Sequence, residues 1–321
     1  MAAFTAFGLL PLSQAQAQEV YPSKAIRLVV PNPPGASLDV IARGIGKPLS
    51  EALKQSVVVD NRPGAGTMLG ADYVAKAPAD GYTIMLTSMS YTTSAAIYPN
   101  LPFDPINDLV GITMIGKGPW LLVVSPSLPV NSIKELIAFA KASPGKLNYG
   151  SAGNGVVNHL WMELFKTQTK TDIVHVPYKG ASPAINDVIG GRVQMFLGSL
   201  PSVWPHVKAS RLRALVVTTT EHSSFVPTLP TIAEATGVRG LELEQWWGTF
   251  ASARTPRNVI NKLDAEIRKI LATPDMKAWL ANQGAEPAPI SSEQFSSVFR
   301  AEIVKWRGVI ATSAIKADGL E

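Results

Sequence analysis

Leu28-Val29-Val30-Pro31-Asn32-Pro33-Pro34-Gly35-Ala36-Ser37-Leu38-Asp39-Val40-Ile41-Ala42-Arg43 is the stretch that decides the fold. Its short apolar run reads as a buried strand, a proline-rich turn ends it, and Ser37 or Asp39 starts an amphipathic helix. Helix starts present unpaired backbone N–H groups and the positive end of the helix dipole, so a loop aimed at one suits a carboxylate or another anion. Two prolines hold the loop open at little entropic cost, and Gly35 admits close approach of a ligand. An ordinary βα turn capped by Ser37 has the same signature, so the rest of the chain must choose between them.

Downstream the chain keeps alternating. Strands are expected at Ala25–Val30, Ser56–Asp60, Tyr82–Ser88 and Leu109–Ile115, with helices at Asp39–Leu53 and Gly64–Ala77. Gly116-Lys117-Gly118-Pro119 reads as a break. A second unit of the same kind follows, with strands at Trp120–Val124, Lys146–Gly150, Asp172–Val176, Val193–Leu197 and Leu212–Thr218, and helices at Ser132–Ala142, Val156–Thr169 and Pro183–Ile189. After the turn-rich Glu221–Pro230, a strand near Trp247–Ala251 and helices at Arg257–Ala272, Asp275–Gln283 and Ser292–Ser313 complete the first unit. The pattern predicts an α/β protein of two lobes, residues 18–118 plus 225–321 and residues 119–224, each a mostly parallel sheet flanked by helices. Ligand sites then lie off the carboxyl ends of the strands.

Composition narrows the function. A chain of 321 residues, 46% hydrophobic, buries a large core, and a formal charge of +5 without a basic run interleaved with aromatics argues against nucleic acid. The absence of cysteine excludes thiolate metal sites, disulfides and Cys nucleophiles. Phe4-Thr5-Ala6-Phe7-Gly8-Leu9-Leu10 resembles the end of a signal-peptide apolar region, and Ala15-Gln16-Ala17 has the form of a cleavage site. The basic n-region is missing, and the mature, exported chain is expected to begin near Gln18, leaving 1–17 as a leader remnant. No later apolar run is long enough to span a bilayer.

Thr87-Ser88-Met89-Ser90-Tyr91, Tyr149 to Gly155, Val176 to Ser182 and Gly198-Ser199 each set small or hydroxyl residues at a strand end. Convergent donors without a strong base describe a binding cleft. Together with Tyr21-Pro22-Ser23-Lys24, Val30-Pro31 to Asp39, Val59 to Gly66, Asp80-Gly81-Tyr82-Thr83 and His175-Val176-Pro177-Tyr178-Lys179-Gly180, these segments resemble the Bug-type extracytoplasmic solute receptors of tripartite tricarboxylate transporters. The resemblance implies a type II periplasmic-binding-protein fold, a periplasmic monomer that closes over a small carboxylate (a di- or tricarboxylate, an aromatic acid or an amino acid), and permease subunits as partners. The four histidines show neither the H-x-x-x-H spacing nor the carboxylate cluster of a zinc site, and no cofactor and no catalysis are expected. Carried over by position, the ligand-facing residues are Pro34, Gly35, Ala36, Ser37 and Asp39, then Ser88 and Ser90, then Ser151, Asn154 and His159, then Tyr178, Lys179 and Gly180. Asp39 is the residue the resemblance associates with selectivity, a helix cap being its alternative role. Asn32 and Ala36 depart from the aromatic and the second glycine usual in the family.

Other readings fit less well. The glycines of Asn61 to Gly70 run one residue out of register with a dinucleotide fingerprint, and no Lys-Ser/Thr follows them. Ser151 with His159 or His175 and Asp172 suggests a hydrolase, but no G-x-S-x-G elbow is present. Trp246 is a candidate aromatic wall for the cleft, with a core position as its alternative. A receptor read by a sensor kinase needs the same closed surface as one read by a permease. An effector domain of a transcription regulator would need a preceding helix-turn-helix.

Overall fold

In the computed structural model, which describes residues 21–98, 100–178 and 180–312, the opening stretch folds as its pattern dictates. The leader-like segment and Lys179 lie outside the described residues. Strand β1 (Ile26–Val30) is buried except at Arg27, and the helix α1 (Ser37–Leu53) follows the proline turn. Parallel to β1 on either side lie β2 (Val57–Asn61) and β3 (Thr83–Ser88). Between those two, the helix expected from Gly64 begins only at Met68 (α2, Met68–Ala75). Gly64, Ala65, Gly66 and Thr67 all have positive φ (133°, 44°, 57° and 90°), a left-handed run that a helix cannot contain. Directly after β3 comes α3 (Ser90–Ile97), a helix that the sequence reading did not name.

The largest departure is β4, a single strand of 16 residues, Leu109–Val124, that runs through the expected break at Gly116 to Pro119. Beyond it the chain forms α4 (Ile133–Ala142), β5 (Leu147–Ser151), α5 (Val157–Thr169), β6 (Ile173–Pro177), α6 (Ala181–Ile189), β7 (Met195–Ser199), α7 (Leu200–Lys208), β8 (Arg213–Val217) and α8 (Ile232–Thr236). Then come β9 (Glu244–Ser252), α9 (Arg257–Ala272), α10 (Pro274–Asn282), β10 (Glu286–Pro287) and α11 (Ser292–Thr312). Strand β4 changes partners at the supposed break. Leu109 to Pro119 pair antiparallel with β9, whereas Trp120 to Val124 pair antiparallel with β7 and β8. The glycines are there because the backbone around β10 lies on this part of the strand: a Cβ on Gly116 would sit 2.8 Å from the Glu286 carbonyl.

The strand order β2-β1-β3-β9-β4-β7-β5-β6 therefore joins two halves, each with a parallel trio, through antiparallel crossing strands. This is the two-lobed, helix-flanked α/β arrangement that the alternation implies, with parallel pairing confined to the outer strands. One boundary moves. At residue 225, where the pattern suggests a return to the first lobe, Val226 still packs with Leu121, Val123 and Val217. Thr231 bridges Val217, so the chain stays beside the second half-sheet until β9.

Helix α11 closes the first half. Its Phe295, fully buried, inserts between Gly111 of β4 and Gly248 of β9, neither of which has a side chain to block the ring. Among the described residues no helix is long and apolar enough to cross a membrane.

Candidate functional site

The carboxyl ends of β1, β3, β5 and β6 all feed helix starts, and the resulting loops touch one another. Tyr178 N–H donates to the Ser151 carbonyl at 3.0 Å and Gly180 N–H to that of Ala152 at 3.1 Å, so the third and fourth loops are one unit. Met89 N–H, between Ser88 and Ser90, donates to the Trp246 carbonyl at 3.3 Å and ties the second loop to the crossing strand. The two halves meet where Gly155 lies against α3, since a Cβ there would come 2.5 Å from Ile97 Cδ1. Gly66 backs onto Ser94 of α3 and Gly70 onto Pro31, which links the first loop to the second through the left-handed turn.

Within the first loop, Asp39 is a brace. It is 2% exposed. Its Oδ2 accepts from Gly35 N–H and Arg43 Nε, and its Oδ1 from Asn61 Nδ2, each at 2.9 Å. The same Asn61 amide donates to the Asn32 carbonyl at 3.0 Å. The Arg43 guanidinium, with help from the Gly35 and Asn61 donors and against the effect of burial, holds the carboxyl down at about 2. Ala36, not Ser37, occupies the capping position, because Asp39 reaches back from inside the first turn to the loop amide. Pro34, Gly35 and Ser37 are left exposed on the loop and Ala36 half-exposed.

On the second half, Ser151 is wholly buried beneath its loop. Its hydroxyl donates to the Gly153 carbonyl at 2.8 Å, so the His175 Nε2, 2.6 Å away, is the proton donor to Ser151 Oγ and not its base. Asp172 lies at the amino end of β6, where its carbonyl accepts from Gly145 N–H. This geometry activates no nucleophile. His159 Nδ1 accepts from Gly155 N–H at 2.9 Å, and its ring stacks on His175 at 3.9 Å. Burial, with His159 and Lys166 nearby, pushes His175 down to about 3, so the stack is neutral and supports the loop. Asn154 is exposed at the loop tip, while Tyr178 donates its hydroxyl to Asp187 at 2.7 Å. Gly180 has φ of +116° and open space where a side chain would project.

Trp246 has its ring packed in the core. It is 2% exposed, its ring is edge-on to Phe295 at 5.3 Å, and its Nε1 donates to Glu302. Three of the helix starts that face the loop cluster, those of α1, α5 and α6, have no side-chain cap. Of the remaining helices, α4, α8 and α10 are capped by Ser132, Thr231 and Thr273, whereas α2, α7 and α9 also lack a side-chain cap. First-turn backbone N–H groups of α1, α5 and α6 are thus left to donate to an external anion. Among the described residues no group of three His, Cys, Asp or Glu side chains is placed to hold a metal.

The two-lobed, helix-flanked sheet is the fold of periplasmic binding proteins. Residues 41–315 match the tripartite tricarboxylate transporter family receptor, and the chain belongs to that family, as a Bug-type member. Protein BugT of Bordetella pertussis is 36% identical over 300 residues, covering 93% of this chain and 92% of its own. Among solved structures, R. palustris Rpa4515 with adipate superposes with a TM-score of 0.81 at 38% identity, covering 92% of this chain and 99% of that one. MatC from Rhodopseudomonas palustris with bound malate superposes at 0.78 with 27% identity, covering 90% and 100%.

Proposed function

We propose that this receptor captures a small organic carboxylate between its lobes, in the periplasm, and delivers it as a monomer to the permease of a tripartite transporter. The observation that carries this reading is the convergence of uncapped helix starts from both halves on one cluster of strand-end loops. Amides and hydroxyls bind a carboxylate without leaving a charged side chain desolvated in the empty cleft. The adipate and malate bound by the similar proteins are of this chemical class. We assign contact with the acid to Pro34, Gly35, Ala36, Ser37, Ser88, Ser90, Asn154 and Gly180. Asp39, Ser151, His159 and Trp246 hold those groups in place. The lobes are residues 21–118 with 244–312, and residues 119–243, and the two passages of the chain between them, within β4 and just ahead of β9, are the hinge.

A thermal-shift panel of adipate, malate, benzoate and glutamate, with adipamide as the uncharged control, tests the ligand class. An acid at a hundred times its dissociation constant adds about 2.7 kcal/mol of stability, whereas the diamide adds nothing. Gly180→Val supplies the local control. Its left-handed backbone costs about 1–3 kcal/mol with a β-branched side chain, but the open space leaves the fold intact. Its acid-dependent shift is expected to vanish. Stabilisation equal to that of the parent would remove this loop from the site.

A further inference from the structure

Glu302 of α11 is a half-buried carboxylate with no cationic partner among the described residues. The single hydroxyl proton of Thr92 is shared between the Met89 carbonyl at 2.8 Å and Glu302 Oε2 at 3.0 Å, and Trp246 Nε1 lies 3.0 Å from both carboxyl oxygens. These two donors flank one joint. Thr92 is the third residue of α3, and Trp246 also accepts, through its carbonyl, the N–H of Met89 just ahead of that helix. Glu302 therefore holds the start of α3, which carries Ser90, against the crossing strand on which the lobes hinge.

The surrounding charges leave it uncompensated. On α11, Lys305 reaches the Glu242 carbonyl at 3.4 Å and Arg300 the Ile106 carbonyl at 3.0 Å. Glu302 shares a cavity of about 590 Å³ with Lys117 of β4, Glu244 of β9 and Glu242. That lysine is taken up by Glu244 and Glu286 at 3.3 and 3.6 Å. From α3 comes only Tyr91, whose hydroxyl donates to the Pro105 carbonyl. From α5 come His159, whose charged form burial disfavours, and a Glu163–Lys166 pair at 2.7 Å whose carboxylate also accepts from the Tyr149 hydroxyl. Burial pushes the Glu302 carboxyl up to about 7, outweighing the Trp246 and Thr92 donors and Lys305.

We propose that Glu302 is a positioning residue that couples carboxylate capture to uptake of a proton. The proposal rests on the reading that Ser88 and Ser90, at the start of α3, contact a carboxylate. Ionised Glu302 places a negative charge against the first turn of α3 and disfavours an anion at Ser88 and Ser90, while protonated Glu302 leaves that helix start positive. By linkage, a bound anion raises the affinity of Glu302 for its proton by the same factor that the proton raises affinity for the anion.

The test follows the indole N–H resonance of Trp246, assigned with Trp246→Phe, across pH in the parent and in Glu302→Gln, with and without saturating adipate. In the parent this resonance titrates near neutral pH and its midpoint rises with adipate, whereas in Glu302→Gln it is flat. Calorimetry gives adipate roughly threefold tighter at about pH 6 than at about pH 8 in the parent and equal in the variant, adipate being a dianion at both. An indole resonance that does not titrate, or a pH slope that survives in Glu302→Gln, overturns the role of Glu302. Adipate that binds without moving the midpoint overturns the coupling and leaves the carboxylate reading standing. Failure of both adipate and malate to bind overturns that reading and the coupling with it.

Discussion

Asp39→Asn, a substitution that keeps the shape of the side chain, is expected to lower the melting temperature by about 5 °C and to weaken carboxylate capture roughly tenfold. All three partners of Asp39 are N–H donors: Gly35 N, Arg43 Nε and Asn61 Nδ2. Only an ionised carboxylate accepts all three. An asparagine turns one of its two acceptor atoms into a donor, which faces another donor whichever way the amide is flipped. The lost ion pair and the stranded N–H groups together cost about 2–3 kcal/mol. The first loop, no longer tied to Asn61, then has to be ordered by the ligand, which is the source of the affinity loss. The pH dependence carries a sign. Because the folded carboxyl lies at about 2, below its unfolded value of 3.8, its stabilisation is present above that value and is lost as pH falls from about 4 towards 2. Asp39→Asn removes this limb of the acid-denaturation curve. An unchanged melting temperature in calorimetry would show that the carboxylate network carries no stability.

Gly248→Ala is expected to destabilise the protein by about 3 kcal/mol, the penalty of overpacking a filled core. The new methyl group would overlap the ring of Phe295, which is wholly buried and also presses on Gly111. Retreat of Phe295 moves α11, and with it Glu302 and the indole it holds, so acid binding weakens as well as stability. Gly308→Ala in the same helix is the control. It meets nothing within 4 Å and exchanges a flexible residue for a good helix former, so it should gain about 0.5–1 kcal/mol. Equal melting points for Gly248→Ala and the parent would show that the ring does not need the vacant position.

The fold was legible in the sequence wherever it rests on periodicity. The apolar run before Pro31, the capped helix after Ser132 and the helix at Arg257–Ala272 lie where the pattern puts them. What escaped was set by tertiary contact. Gly116, Gly118 and Pro119 read as a break, yet the crossing strand needs glycines there because another backbone lies on it. Helix α7 was hidden by Pro201 and Pro205, of which the first is tolerated in the opening turn. Of the site, the strand-end loops were legible from their small residues, but the roles within them were not. The distinction between a ligand-facing acid and a brace depends on Asn61 and Arg43 converging on Asp39, and Asn61 is 22 residues away in the chain. Likewise nothing near Trp246 announces a partner 56 residues on at Glu302.

Small-angle scattering of the protein with and without the panel acid that gives the largest thermal shift tests the central claim most directly. An acid held by loops of both lobes favours the closed form by its differential affinity, and among the described residues β4 is the strand that pairs in both halves. The radius of gyration should fall on saturation, and the uncharged diamide should leave it unchanged. Superimposable profiles at saturation with the acid would contradict capture by closure between the lobes.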